Sequence, residues 1–202
     1  MDPLLASDML RIAHLFAVVL AMGAAFYADW RMFNGVQKPV SARDLTAFDD
    51  LHHFVLGSMA LVWVTGIALI WLRTGFVLAD FSPKLFAKLL TVTLLSVNAV
   101  VIGKLALPLM RDQAGSVPLH FPIAQKLTLG AVAAMSTASW LLALSLGASK
   151  VLAVSGWDVL APVLSGTYLS ALTVAFAAAL GSQMLVPPAI SSVDPFCRLK
   201  RV

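Results

Sequence analysis

An all-α integral membrane bundle of five transmembrane helices is the fold class this sequence predicts, and three observations predict it. Of the 202 residues, 60% are hydrophobic and only 12% charged, with a mean hydropathy of +0.90, far too apolar for one soluble domain. Five runs, near 10–28, 54–72, 86–107, 124–147 and 160–186, each approach the roughly 20 mostly apolar residues that cross a bilayer. The connections between them are short, so the chain reads as a single transmembrane helical domain over 1–202, with no room for a soluble catalytic domain.

Span one is too long, and too directly followed by Asp29, Trp30 and Arg31, to resemble a cleaved signal peptide with a small-residue cleavage site. It reads as a retained helix. Span two opens at His52 and His53, and His53 shares a helical face with Gly57, Ala60 and Val64. Span three starts at Pro83, and Lys88, Thr91, Leu95 and Asn98 lie along one partly polar face. Span four begins near His120 and Lys126, and span five is expected to stop at Val186-Pro187-Pro188, followed by a short basic tail over 193–202.

Basic residues in such a chain report topology, so the net charge of +4 points to no nucleic acid. With the N-terminus outside, the cytoplasmic regions hold nine Lys and Arg residues and the outer regions five. The positive-inside bias therefore predicts a multi-pass protein of a bacterial cytoplasmic (inner) membrane with the C-terminus in the cytoplasm.

Several chemistries are missing. There is no HExxH, no GxSxG, no phosphate-cradling glycine loop and no zinc-like Cys/His spacing. Cys197 is the lone cysteine, so neither a disulfide nor a CxxCH haem attachment exists within the chain. All ten acidic residues are Asp, and none is expected near the middle of a span, which argues against an ion pump with a central carboxylate relay.

What remains are ionisable side chains inside spans, each costly enough in hydrocarbon to need a partner, a wet cavity or a cofactor. Steps of three and four from His14 reach Ala17, Val18, Ala21, Ala25 and Ala28, a stripe of small residues that lets a neighbouring helix or a flat macrocycle come close. Arg11 lies one turn earlier, and Gly66 in span two is level with His14. Spans one and three run the same way, so His14 and Lys88 are both about one turn below the outer surface and can meet. The bland alternatives are a histidine bonded to a carbonyl or headgroup and a snorkelling lysine. His52, His53 and His120 fall on the opposite side, where with Lys126 they form either a second, inner cofactor site or, as is commoner for interfacial histidines, pairs with loop acids such as Asp44, Asp49 and Asp50.

His14, Gly23, Phe26-Tyr27, Arg31, Phe33, Thr65-Gly66 and Lys88, in that order, resemble the membrane-embedded bacterial protoporphyrinogen IX oxidases and the wider group of copper-resistance D-type membrane proteins. The resemblance covers roughly the first 110 residues. It implies haem b held at His14 and Lys88 and a role in porphyrin oxidation; Arg11 and Gly66, placed near His14 by helix position, complete the candidate cofactor-binding residues. The chain departs from the oxidase pattern in spacing Phe-Tyr from Arg by three residues and in lacking an Asn-Glu-x-Pro element, since it contains no Glu.

Two function classes follow. One is a haem b membrane protein in electron transfer or porphyrin oxidation, with a quinone, a porphyrin or a redox protein as partner and Lys88 as the second iron ligand, a proton donor or a propionate partner. The other is a cofactor-free transport or accessory protein that passes copper or another soft metal between histidine and methionine. Met9, Met22, Met32, Met59, Met110, Met135 and Met184 are scattered along the chain, without MxxM pairs.

Overall fold

The computed structural model describes residues 3–184, which are helical with short connections and, among the described residues, no strand. The expected stop at Pro187-Pro188 and the basic tail lie outside the described residues. Five helices are long and apolar enough to span a membrane: α1 (Pro3–Gly35), α2 (Ala42–Thr74), α3 (Pro83–Asp112), α4 (Ile123–Ala148) and α5 (Trp157–Met184). The protein is an all-α membrane bundle. Large apolar side chains such as Phe16, Val64, Leu169 and Val174 point outward, as a lipid solvent requires and water would penalise.

The helices overrun the apolar runs that announce them. α1 and α2 are 33 residues each, about 50 Å of helix at 1.5 Å per residue, against about 30 Å of hydrocarbon. Local sequence sets their ends. At Ser41 the hydroxyl accepts the Asp44 N–H at 3.2 Å, while the Asp44 carboxylate accepts the Ser41 N–H at 3.2 Å, a reciprocal capping box. Gly75, left-handed at φ 56°, closes α2 by donating its N–H to Trp71. α3 starts with Ser82 as cap and Pro83 in the first turn, where the missing N–H costs nothing.

α3 changes its winding at Ile102–Ala106, a π-turn in which the Leu107 N–H reaches back to the Ile102 carbonyl. Pro108 is the physical cause. It has no N–H for the Lys104 carbonyl and its ring would clash there, so one wider turn relieves both.

Short connections make successive helices antiparallel. α1 packs along α2, and α4 packs against both α3 and α5; the two groups share a core of Ala21, Ala25, Met59, Leu95, Ala99 and Trp140. Interhelical hydrogen bonds supplement it: Trp63 Nε1 to Ser96 at 2.9 Å, Asn98 Nδ2 to the Val132 carbonyl at 3.0 Å, and Ser139 with the Tyr168 hydroxyl at 3.0 Å. In membranes such bonds contribute on the order of 0.6 kcal/mol each.

At one end the α1–α2 and α3–α4 connections join, with Val40 N–H on the Ser116 carbonyl, Gly115 N–H on Val40 and Leu119 N–H on Val36, all within 3.0 Å. Ion pairs Arg31–Asp44 at 2.6 Å and Arg111–Asp49 at 2.7 Å close the same end. The other end carries His14 and Lys88.

Candidate functional site

At the His14 end, α1 and α2 meet so closely that the imidazole rests on the Thr65-Gly66 step. A Cβ on Gly66 would come within 3.3 Å of His14 Cε1, so glycine makes room for the ring. His14 Nδ1 is 2.8 Å from the Thr65 hydroxyl, and that hydroxyl donates its only proton to the Leu61 carbonyl at 2.7 Å. Thr65 can therefore only accept from the histidine. With the Thr65 proton on Leu61, the tautomer that suits this contact carries its proton on Nδ1, and the Val62 backbone also hydrogen-bonds the imidazole; a lone pair on Nε2 is the arrangement that a metal-ligating imidazole needs.

Lys88 lies within electrostatic range of His14. It is part-buried and makes no hydrogen bond or ion pair with any described residue. Arg73 and Lys84 are its charged neighbours, and Lys84 is anchored by donating to the Ser149 carbonyl at 3.1 Å. Arg11 is exposed and held by Asp8 at 3.4 Å. The four sequence-derived residues thus fall at one end of the bundle, with His14 and Gly66 in direct contact and Arg11 engaged elsewhere.

The small stripe of α1 serves helix packing, the first of its two expected uses. Ala17 and Ala21 are 0% exposed, Ala21 in the core it shares with Met59, Leu95 and Trp140, so they clear no slot for a macrocycle beside the imidazole. Open space begins lower, past Ala25. There a cavity of about 140 Å³ lies among α1, α2, α3 and α4, with Asp29, His52, Asn98, Ser136 and Trp140 in its wall.

Asp29 is the residue that sequence reasoning missed. It was expected to mark the end of span one, yet α1 continues to Gly35 and carries it nearly two turns inside the helix end. Its Oδ2 accepts the Thr137 hydroxyl at 2.9 Å from α4. The missed signal is the length of the helix beyond the apolar run, which Asn34-Gly35 and the Ser41 cap define together.

The three histidines expected to be interfacial divide. His53 is exposed and donates Nδ1–H to the Asp49 carbonyl at 2.8 Å, and His120 is exposed. His52 instead lines the cavity and lies over the π-turn, where a Cβ on Gly103 would be only 2.8 Å from His52 Nε2. The loop acids expected to pair with these histidines pair with arginines: Asp44 with Arg31 and Asp49 with Arg111.

Trp140, 2% exposed, has an Nε1–H with no acceptor among the described residues, a deficit worth roughly 1–3 kcal/mol where it stays unmet. Met32, Met59 and Met110, far apart in the chain, line this same cavity. Among the described residues no three His, Cys, Asp or Glu side chains converge to hold a metal ion. A second pocket, at the connection end, holds Arg31, Lys38 and Asp44 and shares Met32, Phe48 and Met110 with the cavity wall. Comparison with protein-family models, with curated proteins and with solved structures finds no match to this chain.

Proposed function

We propose that this membrane protein binds haem b and serves electron transfer or porphyrin oxidation, in a bacterial cytoplasmic membrane with its N-terminus outside. The observation that carries the reading is the His14–Thr65–Leu61 relay, which favours Nδ1 as donor and Nε2 as the ligating nitrogen. The residues present fit the group by their chemistry: one correctly protonated imidazole, and one lysine with no acidic partner on the facing helix. Haem would supply one-electron redox chemistry at its iron. The chain's own contribution would be to hold the imidazole plane through Thr65, to offer the Lys88 amine as second ligand or propionate partner, and to place Arg73 and Lys84 near anionic groups. The resemblance to the membrane-embedded protoporphyrinogen IX oxidases pairs the same two positions.

The test is a visible spectrum of protein purified after expression with haem supply. The expected result is a Soret band with reduced α and β bands. His14→Ala, shown to insert and remain monodisperse, should lose the chromophore, and Lys88→Ala should retain less haem or shift the spectrum. Replacing His52, His53 and His120 together should leave it in place. Haem lost in that triple variant but kept in His14→Ala would move the site to the inner face, where His52, His53 and His120 lie. A colourless wild type that takes up stoichiometric Cu(I) would replace this reading by the soft-metal one, for which the three methionines on one cavity are the favouring observation.

A further inference from the structure

The cavity beside Asp29 is separate from the His14 end and asks for its own occupant. Its wall is mostly apolar, from Ala28, Val55, Leu95, Ile102 and Leu129, with polar groups interspersed. Asp29 has one carboxylate oxygen bound by Thr137, and its other oxygen makes no hydrogen bond with a described residue. His52 makes none at all among the described residues. At about 140 Å³ the space is roughly ten times what one ordered water needs by the same measure. That is too much for a single ion, whose ligands must converge, and too little for a porphyrin. A lipid acyl tail would fill the space but leave a carboxylate and an imidazole facing hydrocarbon, which is costly.

We propose that this cavity binds the ring of a lipid-soluble quinone or its quinol. A flat ring suits the apolar walls. A quinone carbonyl accepts from an imidazole N–H, and a quinol hydroxyl donates to a carboxylate, so Asp29 and His52 together serve both forms. The adjoining pocket, which shares Met32, Phe48 and Met110 with the cavity and carries Arg31 and Lys38, places a polar mouth next to the apolar chamber. The inference goes beyond the haem reading and stands without it, since none of its residues touches His14 or Lys88.

The experiment uses the full chain in phospholipid nanodiscs, titrated with decylubiquinone, its quinol, and decylbenzene as a tail-bearing control without oxygens. One quinone per protein should bind and raise the melting temperature as its concentration rises. Asp29→Leu should weaken the quinol, and His52→Leu the quinone, roughly fivefold, as expected for one hydrogen bond each. Ala28→Leu, which narrows the chamber, should weaken both tenfold or more. The Soret band of any haem present is followed throughout and should not change, so failure here and failure of the haem assignment are told apart. Equal displacement of decylubiquinone by decylbenzene in the wild type would make the cavity an alkyl slot, and absence of saturable binding would leave it no quinone site. Either overturns the proposal, and the displacement arm needs no variant to fold.

Discussion

At the scale of single residues, one hydroxyl decides what His14 can do. Thr65 has one proton and gives it to its own helix at Leu61, so it favours one imidazole tautomer from outside the site. Thr65→Val keeps the shape and removes the acceptor. The proton on His14 then moves freely between Nδ1 and Nε2, and under the haem b proposal haem retention should fall at least tenfold, the usual scale for groups that orient a metal-ligating histidine. Transfer of haem to an apoprotein acceptor, timed by absorbance, measures this; equal transfer rates for Thr65→Val and wild type would remove Thr65 from the mechanism. Thr65-Gly66 could be picked out in the sequence by its resemblance to a motif, but not its role, because a hydroxyl's donor and acceptor assignments depend on both neighbours at once.

At the scale of the helix, the π-turn of α3 links backbone geometry to the cavity. Pro108 makes the wide turn, Gly103 within it lies under His52, and a Cβ added there would come within 2.8 Å of Nε2, so the imidazole would have to shift. Gly103→Ala should therefore push the imidazole aside and destabilise the protein by about 1–3 kcal/mol, as overpacking does. His52→Ala in the same chain should recover most of that loss, and a double-mutant cycle of thermal unfolding reads the coupling. Independent, additive effects would show that the two residues do not press on each other. From sequence, Pro108 lies just past the expected end of span three at 107, and which side chain rests on the widened turn depends on a different helix.

At the scale of the whole molecule, the expected topology places the nine basic residues on the cytoplasmic side and five outside. Reporter fusions after Arg201 should be active in the cytoplasm and those before Pro3 outside; a periplasmic C-terminus would invert the bundle and put the Asp29 cavity, with its polar mouth, on the outer side. The number of spans, the helical class and the lipid environment were determined by the sequence alone, because hydropathy is summed locally along the chain and needs no neighbour. The cap at Ser41 and the glycine stop at Gly75 were equally local. The inward faces of α1 and α3, Ala17-Ala21-Ala25 and Thr91-Leu95-Asn98, were legible as a small and a polar stripe; what each face meets was decided only by the tertiary structure. Lipid is as apolar as a helix interface, so apolar periodicity carries little information about rotation. Packing of Ala21 and Ala25 into the shared core set the rotation of α1. That rotation turned Asp29 toward Thr137 and put it, with His52 and Asn98, around one cavity, a grouping of residues from three helices that no stretch of sequence contains.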